Sequence, residues 1–132
     1  MIEFRPFEIA DIHLLDIQPS QIGDRDDLLG DPNRYLLENR WSWSAWEGGR
    51  PIAMAGILVA PGGEAMAWAL LGRDLRRQMV PVLQYVRRVL AAYVVHTGDP
   101  VYTEVDYLVP NGVRWAKLLG FEQITHTHWG YT

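Results

Sequence analysis

Two carboxylates are the first residues in this chain whose type and spacing could do chemistry. Glu104 and Asp106 stand two apart in "VYTEVDYL", residues 101–108, where alternating apolar and polar positions predict a β-strand. Residues i and i+2 of a strand point to one face, so both carboxyl groups share a surface. Facing a cleft, each charge raises the pKa of the other and leaves a proton acceptor suited to neutral pH. Facing water, the same spacing describes two solvated carboxylates on a sheet edge. Tyr107 beside them and Tyr131 near the end are phenols able to donate a proton. His126 and His128 also share a predicted strand face, but no third ligand stands near and no helical histidine motif occurs, so no metal site is expected. The chain has no cysteine, which removes thiolate nucleophiles, thiolate metal sites and disulfides. No Ser-His-Asp order, P-loop or dinucleotide-binding glycine run occurs.

The elements that must position these groups follow from the hydrophobic period. "IEFRPF", residues 2–7, alternates and stops as a strand at Pro6. Apolar residues at 9, 12, 15 and 17 predict a first helix over 8–17, and a second is expected over 24–40, interrupted near Gly30 and Pro32. "WSWSAWE" and "PIAMAGILVA" flank "GGR" and predict a hairpin turning at Gly48-Gly49. "AMAWALL", residues 65–71, is almost wholly apolar, as strands buried on both faces at the centre of a sheet are. A 3.6-residue stripe through Met79, Val82, Val86, Leu90 and Tyr93 predicts a long helix. It starts near Val80, because Pro81 is tolerated in a first turn, and ends with Gly98 at C′. After the 101–108 strand come a short helix in "PNGVRWAKLLG", closed by Gly120, and a last strand over 121–131. The order predicts an α/β (α+β) fold, with a mixed sheet of about six to seven strands flanked by helices, in one domain over 1–132.

Composition sets the outer bounds. Hydrophobic residues at 48% and charged residues at 21% describe a folded globular chain. A net charge of -4 gives no general attraction to nucleic acid or anionic lipid, and "GRDLRR" is too short to change that. The longest apolar runs fall far below the ~20 residues of a membrane span. "MIEFRPFEIADIH" carries charges where a signal peptide needs an apolar stretch. A cytoplasmic protein with no nucleic-acid or membrane partner is therefore expected. Of six tryptophans, three crowd into 41–46, where they either fill a core or anchor a partner surface.

The element order, together with "LVPNGVRWAKLLGF" at 108–121, resembles the GNAT superfamily of acetyl-CoA-dependent N-acetyltransferases. In that family the last helix commonly ends in a Gly-Phe pair behind an Asn, here Asn111. Gly120 allows the left-handed helix end and Phe121 enters the core. More narrowly, "HLLDIQPSQ" and "RWAKLLGF" look like a GNAT-like subgroup encoded by tailed phages and prophages. The resemblance implies acetyl-CoA as donor and a small-molecule or protein amine as acceptor. It gives the pantetheine arm and the oxyanion donor to the backbone of Trp68, Ala69, Leu70 and Leu71. Within such a site Arg73, Arg76, Arg77 and Asn111 are candidate coenzyme contacts, and Glu104, Asp106 and Tyr107, singled out above by type and spacing, are the candidate acid–base groups.

Two positions depart from the family pattern. The family's pyrophosphate loop, Gln/Arg-x-x-Gly-x-Gly/Ala, is best matched by Arg76 to Pro81, with Met79 and Pro81 in place of the glycines. Pro81 offers no N–H and Met79 adds a side chain where phosphate would approach. Arg73, Arg76 and Arg77 either offset this through charge-assisted contacts or form a solvated basic face. The Tyr that in many members protonates the leaving thiolate is replaced by Ala116. A second reading therefore stands beside the acyltransferase. In it, a non-catalytic GNAT fold serves as a phage assembly or virion component through Trp-rich contacts. Homo-oligomerisation is compatible with either.

Overall fold

The computed structural model describes residues 1–59, 62–105 and 112–132. Seven strands form one sheet: β1 (Ile2–Pro6), β2 (Trp43–Glu47), β3 (Arg50–Val59), β4 (Ala65–Leu71), β5 (Val101–Glu104), β6 (Glu122–Gln123) and β7 (His128–Tyr131). The helices are α1 (Ile22–Gly30), α2 (Met79–Thr97) and α3 (Gly112–Leu119). Strand order is β1-β2-β3-β4-β5-β7-β6, antiparallel throughout except at β4–β5. That parallel pair needs a crossover, which the 19 residues of α2 provide.

Local chemistry explains most of these elements. Glu47 pairs with Arg50, so the β2–β3 loop is Gly48-Gly49 alone, with φ of 59° and 77°. A two-residue turn that continues the strand twist requires positive φ at both positions. Helix α2 begins at Met79, takes Pro81 in its first turn, and ends on Gly98 at φ 75°, whose N–H donates to Val94 O. Alternation along β3 sorts its side chains by face. Met54 packs with Phe7, Ile12, Leu15 and Leu70 on one side, while Ala53 and Ala55 pack with Leu75 and Val82 on the other.

Four expectations change. The predicted helix over 8–17 is only a 3-10 turn, Ile9–Leu14. Its C-terminal part is extended instead, because Ile17 bridges to Gly72 and Asp16 O accepts the Arg73 N–H. The last strand is two strands, with a reversal at 124–127 held by the Ile124 and Thr125 N–H groups on His128 O. His126 lies in that reversal and shares no strand face with His128. Strand β4 is central, but only Ala65 and Leu70 are fully buried and Ala69 is exposed. The tryptophans of 41–46 offer no surface patch: Trp43 and Trp46 are buried, and Trp41 packs edge-on against buried Tyr93. The interruption expected near Gly30 is present, with a 3-10 turn, Arg34–Leu37, resuming beyond it. Among the described residues no helix is long and apolar enough to cross a membrane.

Candidate functional site

The exposure of β4 has a specific cause. Strand β5 pairs with it only at Ala65↔Val101 and Met66↔Tyr102. The Thr103 hydroxyl then donates to Ala67 O at 3.3 Å, a side-chain contact where a ladder bond would otherwise continue. Beyond it β5 stays with β7, from Val101↔Tyr131 to Glu104↔His128, while β4 stays with β3 as far as Leu71. The two parallel strands diverge and leave a cleft of about 620 Å³. Its floor is the β4 segment Met66 to Ala69 with Leu71, and its walls include Met79, Val82 and Val86 of α2 and Trp115 and Ala116 of α3. A largely apolar cleft beside a strand edge suits a ligand that is mostly apolar and carries a few polar groups able to pair with backbone.

The polar groups of the cleft are few. Gln18, Gln21, Asp24, Thr103, Glu104 and Thr127 reach its surface, and among the described residues no tyrosine, histidine or cysteine does. Glu104 Oε1 lies 2.9 Å from His128 Nδ1, and His128 Nε2 lies 3.7 Å from Glu64 Oε1. Tyr102 stacks on the same imidazole at 5.0 Å, fixing its plane. Glu104 thus stands at the cleft as an exposed residue whose carboxylate is paired with the His128 ring.

Of the residues singled out by sequence, Trp68, Ala69, Leu71 and Glu104 line the cleft. Leu70 does not: its side chain is wholly buried on the opposite face with Phe7 and Ile12. The Trp68 indole packs edge-on against Phe7, and its buried Nε1 has no hydrogen-bond partner among the described residues. Arg73, Arg76 and Arg77 are exposed and are not among the cleft walls. The Arg73 Nε sits 3.4 Å from both Asp16 Oδ1 and Ile17 O. Tyr131 packs on Phe121, which lines the cleft, and is not itself among the cleft walls. Asp106, Tyr107 and Asn111 lie outside the described residues.

The head of α2 keeps the features read from its sequence. Met79 is on the cleft wall, Pro81 is the third helical residue, and the Gln78 side chain is tied to Glu47. The glycines with positive φ are 48, 49, 62, 63, 98 and 120, so none serves the turn between β4 and α2. Ala116 is 5% exposed and packs in the core beneath the cleft. The sequence reading gave no place on the cleft to Gln18, Gln21 or Asp24. Only the docking of 16–21 along β4 brings them there.

No protein-family model matches the sequence, and no curated protein matches it either. Solved structures do, over nearly the whole chain. A GNAT-family acetyltransferase from Staphylococcus aureus superposes with a TM-score of 0.71 at 12% identity, covering 98% of each chain. An acetyltransferase from Agrobacterium tumefaciens gives 0.70 at 12% identity, over 99% of this chain and 90% of that one. The aminoglycoside acetyltransferase AAC(6')-Ib in complex with coenzyme A gives 0.66 at 15% identity, over 100% and 95%. The chain has the GNAT fold. At these identities the likeness is one of architecture, and function has to be argued from the cleft.

Proposed function

We propose that the protein is an acyltransferase that takes acetyl-CoA as donor and an amine as acceptor. The observation that carries this reading is the parting of β4 from β5 after two paired residues, which opens an apolar trench along a strand edge. The trench fits a pantetheine arm in kind, since that arm is mostly apolar and carries amide groups able to pair with strand backbone. Structural neighbours of this fold hold coenzyme A, which supports the same ligand here. The donor supplies a thioester, an acyl group already activated for transfer to nitrogen.

The chain's own groups then take these roles. Backbone N–H groups of β4 bind the arm and face the carbonyl oxygen on which charge develops. Glu104 accepts the proton of the incoming amine, and His128 on its far side relays it to solvent. Ala116 cannot protonate the departing thiolate, so water does. Walls built of Leu28, Met66 and Trp68 on the α1 side, with Asp24 beside them, suit a cationic amine on a compact apolar body. The neighbour AAC(6')-Ib has also been solved with coenzyme A and kanamycin, which supports a small-molecule acceptor. A cytoplasmic setting follows from the donor.

A second reading keeps the fold without turnover, as a virion-associated or assembly protein. The α2 head favours it, because Met79 and Pro81 weaken an anion cradle. The buried Trp43 and Trp46 weigh against it, since they remove its proposed contact surface. Titration calorimetry with acetyl-CoA, followed by thiol release on adding a panel of amines, tests both. Saturable heat and amine-dependent thiol release are expected. Saturable binding without release from any amine points to the non-catalytic reading, and no heat at millimolar acetyl-CoA ends the coenzyme reading.

A further inference from the structure

Beyond Met66 the edge of β4 has lost its neighbour, and buried backbone groups at such an edge need partners. Residues 16–21 supply them. Asp16 O accepts the Arg73 N–H at 2.8 Å, Ile17 forms an antiparallel bridge with Gly72, and the Gln18 N–H donates to Leu71 O at 2.9 Å. These contacts are backbone to backbone. One step further the chain turns into α1, and a side chain takes over. The Gln21 carboxamide donates from Nε2 to Ala69 O at 3.0 Å and accepts the Leu71 N–H on Oε1 at 2.7 Å. Gln21 is only 8% exposed, yet it forms part of the cleft lining.

A carboxamide set this way offers β4 one donor and one acceptor, the pair that a ligand amide lying along the strand would offer. We infer that Gln21 is a latch on the cleft: an amide-bearing ligand arm gains Ala69 O and the Leu71 N–H by displacing the Gln21 side chain. This rests on the reading that such an arm lies along β4. The exchange needs only rotation about side-chain bonds, because the backbone contacts of 16–18 stay closed while Gln21 swings away. The latched form competes with ligand, so apparent affinity falls by the fraction of molecules that are unlatched. Gln21 is thus a gating residue, outside the proton-transfer machinery.

The test is calorimetry with coenzyme A on the wild type, Gln21→Ala and Gln21→Glu. Removing two neutral hydrogen bonds that binding must otherwise break tightens binding roughly ten-fold in Gln21→Ala. Gln21→Glu keeps an acceptor for Leu71 N–H but presents a carboxylate to Ala69 O, so it tightens binding too, by a smaller factor. In the wild type, the side-chain amide resonances of Gln21 shift on saturation. Tight binding that is equal or weaker in both variants overturns the latch while leaving the coenzyme reading intact. Binding by none of the three overturns both, since the emptied slot has then taken nothing. If Gln21→Ala fails to fold, Gln21→Glu and the wild-type resonances decide, and Gln21 resonances unmoved at saturation overturn the latch.

Discussion

Glu104 shows how far a single residue could be read in advance. Its place on an alternating stretch predicted a strand, and the structure has it on β5 at the rim of the cleft, exposed, with its Oε1 2.9 Å from His128 Nδ1. Replacing it with Gln removes the proton acceptor but keeps the shape. We expect Glu104→Gln to lower kcat by a factor on the order of 10² while KM moves little. Its residual rate should climb with pH, because only acceptor already deprotonated by solvent can react. A pH–rate profile that keeps the wild-type shape would remove Glu104 from the role. Gly56 carries a packing constraint that no spacing rule reveals. A Cβ there would lie 2.2 Å from Ser42 Oγ and 2.7 Å from the Ser42 Cα. Gly56→Ala should cost about 1–3 kcal/mol in denaturant unfolding. In α1, Gly23 has nothing within 4 Å of such a Cβ, and Gly23→Ala should gain roughly 0.5–1 kcal/mol. Equal effects at the two sites would contradict the packing described for β3.

At the scale of elements, the hairpin, α2 and α3 were legible because each carries its own punctuation: Gly48-Gly49, Pro81 with Gly98, and Gly120. The split of the final strand was not legible, since no Gly, Pro, Asn or Asp stands between Phe121 and Trp129. Its reversal is set by β7 inserting between β5 and β6, a long-range pairing. The same holds for 16–21, whose extended backbone is dictated by the vacant edge of β4 and by nothing local. The head of α2 gives this scale its prediction. Met79→Gly with Pro81→Gly restores an N–H and clears side-chain volume where phosphate would approach. Coenzyme A should bind the double variant several-fold more tightly (a gain on the order of 1 kcal/mol), with a lower Tm from the loss of two better residues in the first turn. Unchanged affinity would show that the phosphates are held elsewhere.

On the scale of the whole molecule, the sequence order of elements indicated the mixed sheet and its central strand, while the cleft itself had no local signature. It exists because β5 follows β7 and β4 follows β3, and no stretch of residues encodes a divergence between two strands that far apart in the chain. Ala69, exposed on the cleft side of β4, is the place to fill it. Ala69→Trp should leave the unliganded Tm nearly unchanged, because no buried group is displaced, and should abolish the thermal shift given by acetyl-CoA. Loss of fold would mean that the trench is part of the core. The most direct measurement of the central claim is an amide-resolved NMR titration of the labelled protein with acetyl-CoA. Saturable perturbations are expected, concentrated at Ala67, Ala69, Leu71, Met79 and Thr103, on both sides of the parted strands. Perturbations confined to the outer strands, or none at millimolar acetyl-CoA, would contradict it.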